Sequence, residues 1–172
     1  MKFAVLMTCY NRVDTTIECL RHLFAVDLPE DCSFDIWLND DGCTDGTGAR
    51  TAQIFQEQTA LGWKGEGRVV KGSGHDYWCG GMRRVWKAAS NSYDYDGYLW
   101  LNDDTMLYHE ALSMMVDSVG CHNQNAIIVG AMESPHGRRM TYSGRDKKGC
   151  MIRPNGDYQS VCLFNGNCVW IP

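Results

Sequence analysis

Three short polar clusters combine residue types that can hold an anionic ligand and a metal ion. They are residues 8–12, 39–45 and 102–104, and each directly follows a short apolar run. Such runs, bounded by polar residues, are typical of buried strands. The last cluster contains two adjacent carboxylates, Asp103 and Asp104, which are costly at a buried strand end unless a cation pairs with them. Hard divalent cations take carboxylate oxygens and share substrate phosphates, so this cluster indicates a metal site. A helix cap with solvated carboxylates is the alternative.

A second carboxylate pair, Asp40 and Asp41, ends the second apolar run. Side chains alternate along a strand, so the two are expected to point to opposite sides. Asp41 can then accept a hydrogen bond from the imide N–H of a base, while Asp40 belongs to a turn followed by a helix cap. A calcium loop that starts at Asp41 is excluded, because its third and twelfth positions would be Cys43 and Ala52.

Glycines surround the segment 75–79, with Gly72 and Gly74 before it and Gly80 and Gly81 after it. The spacing matches neither a phosphate-binding P-loop nor a dinucleotide fingerprint. A glycine pair at a helix start still permits a ligand to approach the backbone closely. A loop that uses glycine only for tight packing is the alternative.

Continuous apolar runs and apolar residues spaced three or four apart predict the strands and helices that must position these clusters. Strands are predicted at 3–7, 34–38, 68–71, 98–101 and 126–132, and helices at 15–24, 47–58, 80–90 and 110–121, with Asp14 as the N-cap of the first helix. The alternation of strand and helix indicates an α/β fold with an open, mostly parallel sheet and helices on both faces. In such sheets ligands lie beyond the carboxyl ends of the strands, where the three clusters fall.

Composition limits the class of protein. The 172 residues fit one domain, and 44% apolar and 22% charged residues are ordinary for a globular chain. The net charge of −5 argues against a nucleic-acid polymer as partner, because an acidic chain gains nothing from counterion release. No apolar stretch is long enough for a transmembrane segment. Nine cysteines without a CxxC pair favour free thiols in a reducing cytoplasm.

The clusters, in this order and spacing, resemble family 2 glycosyltransferases with the GT-A fold. The resemblance is carried by residues 5–12 (VLMTCYNR), 37–47 (WLNDDGCTDGT), 77–84 (YWCGGMRR), 101–105 (LNDDT) and 164–172 (FNGNCVWIP). Cys43 replaces the usual Ser of the second motif, and Asn102 takes the first position of the metal-binding Asp-x-Asp motif. The last segment is similar to the Asn-Gly-Asn segment of the rhamnosyltransferase-like branch.

On the nucleotide side, the resemblance implies four binding residues. Thr8, Tyr10 and Asp41 would hold the base, with Tyr10 stacking on it and Asp41 accepting its imide N–H. Arg12 would lie near the base or the diphosphate of a UDP- or dTDP-sugar.

On the sugar and metal side, the resemblance implies four more. Asp76 and the helix start at Gly80 would lie close to the donor, and Asp103 would contact the ribose or the sugar. Asp104 would bind a Mn or Mg ion that neutralises the diphosphate leaving group.

The activity implied is transfer of a sugar, with inversion, from a nucleoside diphosphate sugar to a hydroxyl of a glycan or lipid-linked acceptor. The setting would be polysaccharide biosynthesis in the cytoplasm, including the inner face of the membrane. In this family the general base lies downstream of the Asn-Gly-Asn segment, and no residue here is assigned to that role. Residues 1–172 are therefore expected to form a nucleotide-sugar-binding GT-A domain that is incomplete at its C-terminus.

Two other functions remain open from the sequence. The first is a nucleotide-sugar-binding module without catalytic activity. The second is a sugar nucleotidyltransferase, although its glycine-rich, arginine-containing loop is missing after the first strand, where residues 8–12 read TCYNR.

Overall fold

A computed structural model of the chain describes residues 1–122, 125–135 and 139–172. Strands and helices alternate through the first two thirds of these residues. The elements are β1 (Lys2–Cys9), α1 (Val13–Phe24), β2 (Ser33–Asp40), α2 (Thr47–Ala60), β3 (Gly67–Lys71), α3 (Tyr77–Ser90), β4 (Gly97–Leu101) and α4 (Ala111–Cys121). Four short strands follow, namely β5 (Ile128–Val129), β6 (Met132–Glu133), β7 (Met140–Tyr142) and β8 (Cys168–Ile171).

The main sheet has the strand order β3-β2-β1-β4-β8-β5 among the described residues. β1 pairs in parallel with both β2 and β4, and β2 pairs in parallel with β3. β8 lies antiparallel between β4 and β5. This arrangement confirms the predicted α/β fold with a mostly parallel sheet. The chain leaves β1 toward β2 and β3 and returns to its other side with β4, so the order reverses between β1 and β4.

Both faces of the sheet are covered, which explains why its strands are continuous apolar runs. On β1, the side chains of Phe3, Val5 and Met7 pack against α1, α2 and α4, while Ala4 and Leu6 pack against α3 on the opposite face. All five are almost completely buried. No helix in the described parts of the chain is both long and apolar enough to cross a bilayer.

The segment 126–132 was predicted as one strand, and the structure divides it into β5 and β6. The break falls at Gly130, whose N–H donates to the carbonyl of Cys168 at 3.0 Å. A side chain at this glycine would lie 3.1 Å from Met132 and 3.3 Å from Cys168. β5 therefore ends where its partner β8 begins, at Cys168, and β6 pairs with β7 in a separate two-stranded sheet.

The predicted N-cap of α1 is also corrected. The cap residue is Arg12, without a side-chain cap bond, and Asp14 lies in the first turn of the helix. The N–H of Val13 instead donates to Asp45 at 3.0 Å, a carboxylate from the loop that precedes α2. The same carboxylate accepts the N–H of Thr47, the first residue of α2, and the N-cap position between them is Gly46. One side chain thus joins the beginnings of two helices.

Candidate functional site

The carboxyl ends of β1, β2 and β4 bring the three polar clusters to one edge of the sheet. β1 is hydrogen-bonded to both of the other strands, so the residues that follow these strands are neighbours. The reversal of strand order between β1 and β4 creates the crevice in which open α/β sheets bind ligands. The site therefore lies between the loop that follows β1 and the turn that follows β4.

Arg12, Asp103 and Asp104 meet across this crevice. The Nη1 atom of Arg12 lies 3.3 Å from Oδ1 of Asp103 and 3.1 Å from Oδ2 of Asp104. Asp103 is 6% exposed and also accepts a hydrogen bond from Thr16 at 3.3 Å, whereas Asp104 is exposed. Burial raises the pKa of Asp103, and the positive charge of Arg12 opposes that shift.

The two carboxylates fit a divalent metal ion. A single nitrogen of Arg12 already lies within hydrogen-bonding distance of an oxygen from each, so one cation can contact both. Carboxylate oxygens are the ligands that Mg²⁺ and similar hard ions prefer. Asn102, at the first position of the predicted metal motif, accepts a hydrogen bond from the Trp78 indole at 2.8 Å. Its oxygen therefore has a partner within the chain.

Asp41 is buried, with 4% of its surface exposed, and its carboxylate holds the loop between β3 and α3. It accepts hydrogen bonds from the backbone N–H groups of Gly74, Asp76 and Tyr77 at 2.8–3.1 Å. Tyr77 has a φ of +50°, which is rare for an aromatic residue. Local strain of this kind persists only where surrounding contacts fix it, and here Asp41 supplies them. The predicted contact of Asp41 with a base stays a prediction.

Asp76 points toward α3. Its two oxygens accept hydrogen bonds from Nε and Nη2 of Arg84 at 2.7 and 2.9 Å, and one also accepts the hydroxyl of Ser73 at 2.7 Å. The bonds from Arg84 and Ser73 hold the pKa of Asp76 well below its usual range. The carboxylate therefore anchors the loop to the helix, and its predicted closeness to a donor is not tested by this geometry.

Thr8 lies beneath the start of α3. Its hydroxyl accepts a hydrogen bond from the side chain of Asn39 at 3.1 Å. A Cβ atom at Gly81 would lie 2.2 Å from that hydroxyl, so this position must be glycine. The predicted glycine, Gly80, is the less constrained of the pair, since a Cβ atom there would meet Asp76 at 3.2 Å.

Tyr10 follows β1 with 57% of its surface exposed, which leaves its ring free to stack on a ligand. Sequence reasoning missed Trp78, which is 40% exposed and contacts Asn102 beside the acidic pair. Its ring packs edge-to-face against Trp100 at a centroid distance of 5.7 Å. Gly166 lies close enough that an added Cβ would be 2.6 Å from Trp78. Only the match of residues 77–84 and 164–172 to one family could have hinted that these segments touch.

Comparison with protein families places these features in context. The family described as Glycosyl transferase family 2 matches residues 4–166. Comparison with curated protein sequences gives no match.

Solved structures share the fold. S. aureus TarS 1-349 in complex with UDP-GlcNAc is 23% identical, with a TM-score of 0.61, over 80% of this chain and 36% of that chain. The mannosyltransferase PcManGT from Pyrobaculum calidifontis, in complex with GDP-Man and Mn²⁺, is 16% identical, with a TM-score of 0.53, over 68% of this chain and 32% of that chain. The chain thus spans about a third of the length of these proteins. The likeness confirms the expected Rossmann-like GT-A fold, and with a family match over nearly the whole length, the chain belongs to glycosyl transferase family 2.

Proposed function

We propose that this chain binds the donor of a metal-dependent, inverting glycosyltransferase. The donor would be a UDP- or dTDP-sugar, and the acceptor a hydroxyl of a glycan or of a lipid-linked saccharide, which would set the reaction at a membrane face. The observation that carries the proposal is the meeting of Arg12, Asp103 and Asp104 at the strand-order reversal. Family membership supports the reaction class.

The base would lie over the ends of β1 and β2. The exposed ring of Tyr10 offers a stacking surface, and base–aromatic stacking contributes about 1–3 kcal/mol per base. Thr8 and Asp41 would border the base at the same strand ends. The loop held by Asp41 would bring the backbone at the start of α3 close to it. Residues 1–172 act in this proposal as one nucleotide-sugar-binding domain.

The diphosphate would lie near Arg12 and Asp104. A Mn or Mg ion bound there would supply Lewis-acid stabilisation of the leaving diphosphate. Asp104, which is exposed, would hold the ion from the solvent side, with the buried Asp103 behind it and toward the ribose or sugar. Arg12 contacts both carboxylates in the free chain and offsets one of their two negative charges, and its guanidinium can donate to phosphate oxygens.

Transfer with inversion requires the acceptor hydroxyl to attack the anomeric carbon from the face opposite the diphosphate. The new glycosidic bond forms as the bond to the diphosphate breaks, and the hydroxyl proton passes to a base. No residue of this chain is assigned as that base. Donor binding does not require the base, so it can be tested on this chain directly.

Calorimetry of UDP, dTDP and GDP, each with Mn²⁺ or with EDTA, tests donor binding. We expect UDP or dTDP to bind more tightly than GDP, and more tightly with Mn²⁺ than with EDTA. Equal affinity in Mn²⁺ and EDTA would contradict the metal role, and preference for GDP would contradict the proposed base. Glucose, which has no nucleotide, serves as the negative control.

A second assay separates the three functions left open by the sequence. Release of free UDP or dTDP from the sugar donor, dependent on an acceptor, identifies a transferase. Binding without any turnover identifies a module that only holds the nucleotide sugar. Formation of a nucleotide sugar from a nucleoside triphosphate and a sugar phosphate, with release of pyrophosphate, identifies a nucleotidyltransferase.

A further inference from the structure

Two cysteines and a carboxylate converge under the loops that follow β1 and β2. Cys9 ends β1, Asp40 ends β2, and Cys43 lies three residues further along. Their ligand atoms all lie within 4.8 Å of one another, and the two Sγ atoms are 3.8 Å apart. Cys9 is buried, whereas Cys43 and Asp40 are half-buried. The group therefore has a closed side and an open side from which an ion can enter.

The spacing of the two sulfurs matches a tetrahedral metal site. Zinc binds thiolate sulfur at about 2.3 Å, so two thiolates on one tetrahedral zinc ion lie roughly 3.8 Å apart. Carboxylate oxygen is a third accepted ligand of zinc, and a fourth position can hold water. A disulfide would require the same sulfurs to approach to about 2.05 Å, and it would give the carboxylate no role.

A hydrogen bond from the backbone to sulfur is the second observation. The N–H of Asn11 donates to Sγ of Cys43 at 3.2 Å. To place that N–H, Asn11 adopts a φ of +49°, in the left-handed region. Donors that surround a metal ligand orient it and stabilise its charged form. The backbone after β1 is thus arranged to support negative charge on the Cys43 sulfur.

Each sulfur has a backbone acceptor within reach. Sγ of Cys9 donates to the carbonyl of Asn39 at 3.6 Å, and Sγ of Cys43 donates to the carbonyl of Cys9 at 3.8 Å. A metal that binds the thiolates displaces these S–H protons, so binding and deprotonation occur together.

We propose that Cys9, Asp40 and Cys43 form a zinc site separate from the carboxylates of Asp103 and Asp104. Binding replaces two S–H bonds with two Zn–S bonds and releases two protons to the solvent, with no change of oxidation state. Two loops that border the proposed nucleotide site are joined by the ion. The site stabilises the local structure and does not depend on the proposed transferase activity.

Cobalt(II) is the probe, because thiolate coordination gives it charge-transfer and ligand-field absorption that free Co²⁺ lacks. The unmodified chain should show these bands without nucleotide, and Zn²⁺ should abolish them by competition. Cys43→Ser should weaken Co²⁺ binding by more than about tenfold, since loss of even an outer-shell partner costs 10–100-fold. Ser is the usual family residue at that position, so the variant is expected to fold. Cys121→Ser, which removes an exposed thiol at the end of α4, is the matched control and should leave the bands unchanged.

Alkylation of the unmodified chain provides a readout that needs no variant. Zn²⁺ should slow the reaction of Cys43 with iodoacetamide and leave that of Cys121 unchanged, as measured by mass spectrometry of peptides. Equal bands in Cys43→Ser, absence of thiolate bands in the unmodified chain, or alkylation of Cys43 that ignores Zn²⁺ would each overturn the proposal. A Cys9–Cys43 disulfide that forms again when the reduced chain is exposed to air would also overturn the proposal, and would assign the pair to redox chemistry.

Discussion

Arg12 is the side chain that gives the acidic pair a counter-charge within the chain itself. One guanidinium nitrogen contacts carboxylates of both Asp103 and Asp104, which leaves the group with one net negative charge. A metal ion that bridges the same oxygens must compete with this nitrogen. Arg12 and the acidic pair are separated by about ninety residues. The sequence pattern therefore indicated that the carboxylates need a cation, but not that Arg12 supplies one.

Replacement of Arg12 by Met should therefore change metal and nucleotide binding in opposite directions. Mn²⁺ alone should bind about fivefold more tightly, because an exposed ion pair contributes up to about 1 kcal/mol. UDP should bind more weakly, because a donor to phosphate is lost. Electron paramagnetic resonance of free Mn²⁺ measures the first effect and calorimetry the second.

The control for this change is Arg21→Met, which removes an arginine from the surface pair with Glu18 on α1. It should leave both affinities unchanged. If Arg12→Met and Arg21→Met bind Mn²⁺ equally well, the guanidinium does not occupy the metal position.

Asp41 and Asp40 should differ in their effect on nucleotide binding. The buried Asp41 holds the loop before α3, whereas Asp40 accepts the N–H of Cys43 at 2.8 Å on the other side of the strand end. Leaving buried donors unpaired costs about 1–3 kcal/mol, so Asp41→Ala should lose roughly tenfold or more in affinity for UDP or dTDP. Asp40→Ala should lose distinctly less.

Titration of both folded variants in the presence of Mn²⁺ gives the comparison, and circular dichroism confirms that each is folded. A larger loss for Asp40→Ala would place the base site on the opposite side of the strand end. The sequence predicted that the two carboxylates point apart, which the contacts confirm. It could not predict that Asp41 binds three backbone amides, because the loop that donates them is more than thirty residues away.

The elements from β1 to α4 were predicted from local patterns, and their ends differ from the structure by a few residues. Continuous apolar runs identify strands buried on both faces, and apolar spacing of three and four identifies helices. β8 is also a short apolar run, but its place and direction in the sheet are fixed by antiparallel pairing with β4, about seventy residues earlier. Leu101 opposite Cys168 is one such pair. The antiparallel insertion therefore follows from contacts that no local window contains.

The packing of α3 on β1 depends on a glycine, and Gly81→Ala should reveal this. A methyl group would lie 2.2 Å from the Thr8 hydroxyl and 2.7 Å from the Asn39 amide, so the helix must move. Forced overpacking of this kind costs about 1–3 kcal/mol. Because Thr8 belongs to the proposed base site, UDP affinity should fall together with stability.

Gly120→Ala is the matched control on α4, where an added methyl group meets nothing within 4 Å in the part of the chain that the structure describes. It should stabilise the chain by about 0.4–1 kcal/mol, since Ala restricts the unfolded chain. Urea unfolding measures both variants. Equal stability changes for the two would show that α3 does not rest on Thr8 as closely as described.

The candidate site is assembled by side chains that reach between loops. Asp45 joins the starts of α1 and α2, Asp41 holds the loop before α3, and Arg12 links the loop after β1 to the turn after β4. Trp78 adds a link from α3 to Asn102. These contacts fix the edge of the sheet before any ligand binds, which lowers the ordering cost of binding. Residues that build this edge and residues that contact a ligand should therefore be separable by their effects on the folded chain.

Asp104 and Asp45 provide that separation. Asp104 is exposed and, among the described residues, is bound only by Arg12, so Asp104→Ala should leave the Tm of the free chain nearly unchanged. Asp45 accepts N–H groups from Val13 and Thr47, so Asp45→Ala should lower the Tm.

A ligand at a hundred times its Kd stabilises the folded state by about 2.7 kcal/mol. Each kcal/mol raises the Tm of a chain of this length by about 2–4 °C. UDP with Mn²⁺ should thus raise the Tm of the unmodified chain and of Asp45→Ala by similar amounts. In Asp104→Ala the rise should be smaller, and should equal the rise that UDP gives the unmodified chain in EDTA. If both variants lose the nucleotide-dependent rise equally while keeping the same Tm without ligand, Asp45 belongs to the binding site and the division between the two residues is wrong.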